Sequence, residues 1–309
     1  METRRIGQLE VSVVGLGCNN LGMRIDEAQS KVVVDAAIDA GITYFDTAEG
    51  YGGGTSERYL GAALADRRDE VTIATKWGML PAADGEPTNG TPEAVRAAVE
   101  GSLERLGTDR IDHYQMHNPD PSVPIGETLG ALAELVAEGK VLELGCSNFS
   151  AEQLDEAAAA GADAGASFAT VQNHYSLLTR QPETNGVLDA CARHGLGFVP
   201  YFPLESGVLT GKYTAGADLP AGSRLEAWGD RAAFFLSDER LAVVEAVSAW
   251  AAERGRTVLD AAMSWLTSNP QVATVISGAT KTEQAAGNAA AGSWAMTADE
   301  RAELEALLG

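Results

Sequence analysis

Short apolar runs rich in β-branched residues alternate with alanine-rich stretches of helical periodicity along the whole chain. The apolar runs predict eight β-strands, at residues 13–17, 43–46, 71–75, 111–116, 141–146, 168–172, 197–201 and 274–276. Helical periodicity predicts helices over residues 26–40, 56–65, 92–106, 124–138, 151–160, 186–194, 237–254, 257–268 and 282–291. A strand followed by a helix is therefore the repeating unit of this chain.

This alternation favours right-handed βαβ units in one parallel sheet. Eight parallel strands can close into a barrel, so we expect a (β/α)8 TIM barrel. An open doubly wound sheet is the alternative, but no GxGxxG motif follows an early strand with an acidic residue at the required distance.

Two segments lie outside the repeat. Residues 4–11, with a turn at Gly7-Gln8, predict an N-terminal hairpin, and residues 202–235 predict a long loop after the seventh strand because they lack clear periodicity. No internal linker is evident, and we expect residues 1–309 to form a single domain.

Composition narrows the functional classes. Hydrophobic residues make up 45% of the 309 residues, which is enough to bury a full core and excludes disorder. Lys and Arg number 22 against 44 Asp and Glu, and the resulting charge of −22 repels phosphate backbones and anionic lipids. We therefore expect a small-molecule substrate and neither a nucleic acid nor a membrane partner.

The termini and the cysteines indicate a cytoplasmic location. Residues 1–10 are polar and lack the apolar core of a signal peptide, and no run approaches the roughly 18 apolar residues of a membrane span. Cys18, Cys146 and Cys191 are odd in number and have no CxxC spacing. They predict reduced thiols, with neither a disulfide framework nor a metal site.

Candidate catalytic side chains follow three neighbouring strands. Asp46 and Tyr51 come after the second strand, Lys76 after the third and His117 after the fourth. The carboxyl ends of barrel strands form the active-site face, so these groups should meet at one mouth. Each alone has an ordinary structural explanation, such as a helix cap or a packed ring, but four together favour catalysis. Asp46 would keep Lys76 charged, and that charge would lower the pKa of Tyr51 towards a usable range.

The chain resembles the aldo-keto reductase superfamily along nearly its whole length. The resemblance rests on motifs that occur in order and at barrel spacing. They are Phe45-Asp46-Thr47-Ala48-Glu49-Gly50-Tyr51-Gly52, Lys76-Trp77-Gly78, Asp112-His113-Tyr114-Gln115-Met116-His117, Gly145-Cys146-Ser147-Asn148-Phe149, Val171-Gln172-Asn173, Tyr201-Phe202-Pro203-Leu204, Gly207-Val208-Leu209-Thr210-Gly211-Lys212-Tyr213 and Ile276-Ser277-Gly278-Ala279-Thr280. The resemblance implies that Asp46, Tyr51, Lys76 and His117 are the catalytic tetrad.

The resemblance also implies a nicotinamide cofactor across the barrel mouth, with NADP(H) favoured over NAD(H). Its carboxamide would be held by Ser147, Asn148 and Gln172, and its nicotinamide ring would stack on Tyr201. The full set of implied cofactor-binding residues is Asp46, Ser147, Asn148, Gln172, Tyr201, Leu204, Gly207, Lys212, Gly278, Thr280, Lys281, Gln284 and Asn288.

Some positions depart from the family's common pattern. Phe202 stands where Ser is common, and Gly287 stands where an acidic residue often contacts the adenine. No arginine follows Gly278-Ala279-Thr280, which leaves Lys281 as the expected cation at a 2′-phosphate.

The resemblance implies reversible reduction of an aldehyde or ketone, with Tyr51 as proton donor and His117 orienting the carbonyl. Asn19, Trp77 and Asn118 are expected to shape the substrate pocket, and the two amides favour a sugar-like carbonyl. Two alternatives are a cofactor-binding regulatory protein of the potassium-channel β-subunit type and a lyase or isomerase with Lys76 as a Schiff base. The intact tetrad disfavours the first, and Asp46 beside Lys76 disfavours the second because a Schiff-base lysine must be neutral.

Overall fold

The computed structural model of the protein describes residues 1–79, 88–214 and 216–308. The chain begins with the expected hairpin, in which β1 (Thr3–Ile6) pairs antiparallel with β2 (Leu9–Ser12). Gly7 lies in the turn at a φ of 55°, a conformation that glycine adopts without strain.

Eight parallel strands follow and confirm the predicted (β/α)8 TIM barrel. Their ends lie within two residues of the predicted ones. The strands are β3 (Val14–Gly17), β4 (Tyr44–Asp46), β5 (Thr72–Trp77), β6 (Ile111–Met116), β7 (Val141–Ser147), β8 (Thr170–His174), β9 (Gly197–Tyr201) and β10 (Val275–Gly278).

The sheet runs in chain order from β3 to β9, and β10 pairs with β3. The seam between β9 and β10 closes through the segment before β10: Phe198 accepts a hydrogen bond from the amide of Ala273, at 2.8 Å. Arg4 of the hairpin reaches the same seam, where its guanidinium donates to the carbonyls of Asn269 and Val272. The hairpin therefore fastens the seam at the amino ends of the barrel strands.

All the predicted helices are present, and further short ones occur. The α-helices are α1 (Glu27–Asp39), α2 (Thr55–Leu64), α3 (Pro92–Leu106), α4 (Ile125–Ala137), α5 (Ala151–Ala164), α6 (Val187–His194), α7 (Arg224–Trp228), α8 (Ala232–Phe235), α9 (Asp238–Ala252), α10 (Val258–Thr267), α11 (Thr282–Ala291) and α12 (Ala298–Leu308). Short 3-10 segments cover Arg68–Glu70, Gln181–Glu183, Glu205–Thr210 and Gly229–Arg231. Within the described residues, no helix combines the length and the apolar composition needed to cross a membrane.

The sequence did not predict α7, α8 and α12. The first two span five and four residues inside the predicted long loop, which is too short to show a period. In α12 only Leu304 is buried, so the helix has no apolar stripe for periodicity to detect. The long loop after β9 is therefore partly helical; residue 215 within it lies outside the described residues.

A buried histidine lies inside the barrel below the catalytic end. The ring of His113 contacts the Tyr44 hydroxyl through Nδ1 at 2.9 Å and the Thr170 hydroxyl through Nε2 at 3.1 Å. Burial, together with the charge of Lys76, lowers the pKa of His113 to about 3. His113 is therefore neutral in the folded protein, and both ring nitrogens have partners.

This arrangement makes stability depend on pH. An unfolded chain takes up a proton on this histidine below its ordinary pKa of about 6.5, whereas the folded chain does not. The contribution of His113 to stability should therefore fall by about 1.4 kcal/mol per pH unit as the pH drops from about 6.5 towards 3. Urea unfolding of wild type and His113→Gln should give curves of stability against pH whose slopes differ by this amount. Parallel curves would contradict a neutral, buried His113.

Candidate active site

The barrel brings the predicted tetrad together. Lys76 lies in β5 with no exposed surface; its ammonium donates to Asp46 Oδ2 at 2.6 Å and to the Thr47 carbonyl at 2.9 Å. The same ammonium lies 5.3 Å from the centroid of the Tyr51 ring. The His117 ring, just beyond β6, meets the Tyr51 ring edge-on at 5.9 Å and 84°. The acid, the amine, the phenol and the imidazole thus form one cluster at the carboxyl ends of β4, β5 and β6.

Burial and charge set the protonation of this cluster. Burial disfavours the charge on Lys76, but Asp46 and Tyr51 outweigh it and raise the pKa of Lys76 above its ordinary value. For Tyr51, burial is the larger effect and raises the pKa, although Lys76 opposes it. The lowered pKa expected for Tyr51 from sequence is therefore wrong in its net direction, because burial was not weighed there. Tyr51 keeps its proton at neutral pH and can donate it.

His117 is also held in one protonation state. Burial, assisted by the charge of Lys76, lowers the pKa of His117 to about 3, so the ring is neutral. Its buried Nδ1 has no hydrogen-bond partner among the described residues. A neutral imidazole can donate one hydrogen bond, which suits a group that orients a carbonyl oxygen.

Two glutamines donate hydrogen bonds to the Asp46 carboxylate. Asp46 Oδ1 accepts from Gln115 Nε2 at 3.1 Å and from Gln172 Nε2 at 3.0 Å. The backbone carbonyl of Gln172 accepts in turn from the Ser147 hydroxyl at 2.7 Å. Sequence reasoning missed Gln115, although it precedes His117 by two residues on β6 and so points to the same side of the strand.

A second hydrogen-bond network at the mouth is centred on Asn148. Asn148, whose φ is 62°, donates through Nδ2 to the His117 carbonyl at 3.0 Å and to Asn118 Oδ1 at 3.1 Å. The Tyr201 hydroxyl donates to Asn148 Oδ1 at 3.0 Å. The Tyr201 ring is therefore fixed at the cavity wall by its hydroxyl as well as by its strand.

An open cavity of about 770 Å³ extends from the tetrad across the barrel mouth. Most residues assigned to a cofactor by resemblance line it. They are Asp46, Ser147, Asn148, Gln172, Tyr201, Leu204, Gly207, Lys212, Gly278, Thr280, Gln284 and Asn288. Lys281 is not among the described lining residues; it is the exposed N-cap residue of α11.

The cavity has the polar groups that an anionic dinucleotide requires. The buried hydroxyls of Ser206 and Ser277 line it and have no hydrogen-bond partner among the described residues. The cations Lys212, Arg24 and Arg224 line it as well. Unpaired donors beside positive charge fit phosphate groups.

Sequence reasoning missed both arginines. Arg224, at the start of α7, donates to Asn20 Oδ1 at 2.7 Å and to Asn19 Oδ1 at 3.3 Å; burial, with the charge of Arg24, lowers its pKa. Arg24 donates to the Gly222 carbonyl at 2.7 Å. Arg224 stands in a segment without periodicity, so no sequence signal placed it at the mouth.

Two of the three residues expected to contact substrate line the cavity, and the third does not. Asn19 and Asn118 line the cavity, but their amides are engaged within the protein: Asn19 accepts from Arg224, and Asn118 donates to the Met79 carbonyl at 3.0 Å. Trp77 is not among the described lining residues. It is 1% exposed and stacks on Tyr114 at 4.5 Å, which corrects its expected place in the pocket.

Apolar side chains take the place of Trp77 at the rim. Met23 and Met79 line the cavity on either side of the Tyr51 loop, and they are 61% and 38% exposed. Trp228 lines it from the long loop, with its ring 6.4 Å from that of Phe202. The described part of the rim is therefore rich in thioether and aromatic surface.

Similar proteins include channel subunits and a dehydrogenase. The chain is 35% identical to a probable voltage-gated potassium channel subunit beta of Oryza sativa subsp. japonica, over 92% of this chain and 89% of that one. It is 34% identical to the protein of the same description in Arabidopsis thaliana, with the same coverage. Among solved structures, it is similar to a glycerol dehydrogenase from Gluconobacter oxydans, with a TM-score of 0.84, 30% identity and coverage of 99% of this chain and 94% of that one.

The family comparison covers nearly all of the barrel. The model of the aldo/keto reductase family matches residues 13–308, from the residue before β3 to the end of α12. The matched range contains the tetrad, the cavity and the long loop. The chain belongs to the aldo/keto reductase family.

Proposed function

We propose that the protein catalyses the reversible, NADP(H)-dependent reduction of an aldehyde or ketone, with Tyr51 as the proton donor. One observation supports this most directly: a protonated Tyr51, in contact with a buried charged Lys76, opens onto a cavity lined by cations and by hydroxyls without partners among the described residues. Membership of the aldo/keto reductase family and similarity to a dehydrogenase support an oxidoreductase acting on carbonyl groups.

The tetrad divides the work of proton transfer. Tyr51 gives its proton to the oxygen of the carbonyl as negative charge develops there. The Lys76 ammonium stabilises the phenolate left behind, and Asp46 compensates the cost of burying that ammonium. Neutral His117 donates a hydrogen bond that orients the carbonyl oxygen. A bound nicotinamide cofactor would supply the hydride.

The preference for NADP(H) rests on the start of α11. Lys281 is exposed at this helix N-terminus, next to Thr280 and near Gln284, which both line the cavity. The helix dipole and a flexible ammonium together favour a phosphate at this position.

Lys281→Ala should weaken NADPH binding about 5- to 150-fold, the cost of losing a charge-assisted bond of about 1–3 kcal/mol. NADH binding should barely change, since NADH carries no 2′-phosphate. Fluorescence titration of both cofactors measures this, with Lys140→Ala at the opposite end of the barrel as the control. Equal losses for NADPH and NADH would show that Lys281 does not recognise the phosphate.

The substrate we favour has an apolar body beside its carbonyl group. The sugar-like preference relied on the amides of Asn19 and Asn118, but Asn19 Oδ1 already accepts from Arg224 and Asn118 Nδ2 already donates to the Met79 carbonyl. Met23 and Met79 instead present exposed thioether surface near Tyr51. An alkyl or aryl group would bury that surface, whereas a polyol would place hydroxyls against the two thioethers.

A carbonyl panel tests the proposed function. Purified protein is mixed with NADPH or NADH and with benzaldehyde, hexanal or glyceraldehyde, and oxidation of the cofactor is followed. We expect many turnovers with NADPH, with a higher kcat/KM for benzaldehyde and hexanal than for glyceraldehyde. No carbonyl-dependent oxidation with any substrate would refute the enzymatic proposal.

A second candidate is a cofactor-binding regulatory protein with little turnover. The similarity to two probable potassium channel beta subunits favours it. The assay separates the two functions: tight NADPH binding with at most one oxidation per protein would support regulation, and sustained turnover would support the reductase.

A further inference from the structure

A buried carboxylate beside the cavity has no part in the proposed reaction. Glu205 begins the 3-10 turn after Leu204 and has no exposed surface. Its Oε1 lies 2.8 Å from His174 Nε2 and also accepts a hydrogen bond from the Ser176 hydroxyl. Its Oε2 accepts from Arg240 Nη2 at 2.6 Å. One carboxylate thus joins the end of β8, the start of α9 and the long loop.

These contacts hold Glu205 in a conformation that its backbone disfavours. Glu205 and Ser206 have φ values of 47° and 57°. These lie in the left-handed region, which residues other than glycine and asparagine rarely adopt. Such strain persists only where the surroundings determine it, and it gathers at functional sites. Burial works against the charge on Glu205, yet the contacts from His174, Ser176 and Arg240 keep its pKa below the ordinary value. The carboxylate is therefore ionised and fixed.

The partner of Glu205 packs on a wall of the cavity. His174 and Tyr201 are the last residues of β8 and β9 and face each other in the register of the two strands. Their rings stack at 5.4 Å with an angle of 19°. Tyr201 lines the cavity and His174 does not. His174 therefore packs on the face of the Tyr201 ring that is turned away from the cavity.

The hydrogen bond to Glu205 fixes the ring of His174. An imidazole without this partner could rotate about its χ2 angle and leave the stack, whereas the carboxylate holds Nε2 in place. Arg240 balances the charge of Glu205, so the buried group adds no net charge behind Tyr201.

We propose that His174, oriented by Glu205, is a positioning residue for Tyr201 and thereby sets how tightly the nicotinamide end of the cofactor binds. The proposal rests on the proposed function, in which Tyr201 packs against the nicotinamide ring. It concerns only that end, because the lining residues Gln284 and Asn288 belong to α11, a separate element at the other assigned end of the cofactor.

Binding of a whole cofactor and of its fragment tests the proposal. NADPH reaches Tyr201, whereas adenosine 2′,5′-bisphosphate represents only the adenosine end. His174→Ala should weaken NADPH about 3- to 10-fold, the value of one aromatic stack, and should leave the affinity for the fragment unchanged. His174→Phe keeps a ring but cannot bond to Glu205, so it should recover only part of the loss. Glu205→Gln, which keeps the shape but loses the charge, should also weaken NADPH more than the fragment.

The matched control is His194→Ala. It removes a pair near the surface between His194 at the end of α6 and Asp155 on α5, and it should change neither affinity. Titration by tryptophan fluorescence and the Tm of each variant complete the measurement. Losses of equal size for NADPH and the fragment, or no loss for either, would overturn the positioning role and leave a structural one. If wild type binds the fragment but the carbonyl panel shows no turnover, the reductase proposal fails while the binding comparison still decides the role of His174. If wild type binds neither ligand, both proposals are refuted.

Discussion

Tyr51→Phe should lower kcat for carbonyl reduction by at least about 100-fold, the contribution expected of a general acid. The ring lies beside Lys76 and His117, and the substitution removes only the hydroxyl that gives the proton. The affinity for NADPH should survive, because the residues assigned to the cofactor are untouched. Steady-state kinetics together with a cofactor titration of the variant measure both quantities.

The matched control for this variant is Tyr114→Phe. The Tyr114 hydroxyl is buried without a hydrogen-bond partner among the described residues, and its ring stacks on Trp77 away from the cavity. Removing that hydroxyl should leave kcat close to the wild-type value. Near-normal turnover in Tyr51→Phe would sink the assignment of Tyr51 as proton donor.

Asp46→Asn should destabilise the fold by about 3–5 kcal/mol, because it leaves the buried Lys76 ammonium without a counter-charge. The amide also presents donors where Asp46 now accepts from Gln115 and Gln172. Urea unfolding at neutral pH measures the loss, which should appear as a lower midpoint at an unchanged slope.

The double variant Asp46→Asn with Lys76→Met tests the reason for that loss. Methionine removes the unpaired charge, so the double variant should be clearly more stable than the sum of the two single losses predicts. Strict additivity would show that the two side chains do not stabilise each other in the folded barrel.

The strands could be predicted from their apolar runs, and the meeting of the tetrad residues could be predicted from their places at the ends of those strands. Buried parallel strands are continuous apolar runs, and the barrel places every strand end at the same face. Asp46 therefore meets Lys76, and His117 meets Tyr51, at the same end of the barrel.

The errors arose where a side chain's surroundings decide its role. Trp77 follows Lys76 on the same strand, so alternation directs it away from the barrel interior, a signal present in the sequence but not used. The pKa of Tyr51 depends on a balance of burial and charge that the sequence does not contain. Arg224 reaches the mouth only because a loop folds back over it, and loop paths have no periodicity.

The pairing of β3 with β10 has a consequence for how the chain is made. Val14 and Val275 are partners, so β3 lacks one of its two neighbouring strands until residue 275 has left the ribosome. During that interval the growing sheet has two unpaired edges, which attract other strands. The seam residues that Arg4 contacts, Asn269 and Val272, emerge equally late. Ring closure therefore has to wait for β10, and a nascent chain stalled before β10 would keep both edges open to aggregation and to capture by chaperones.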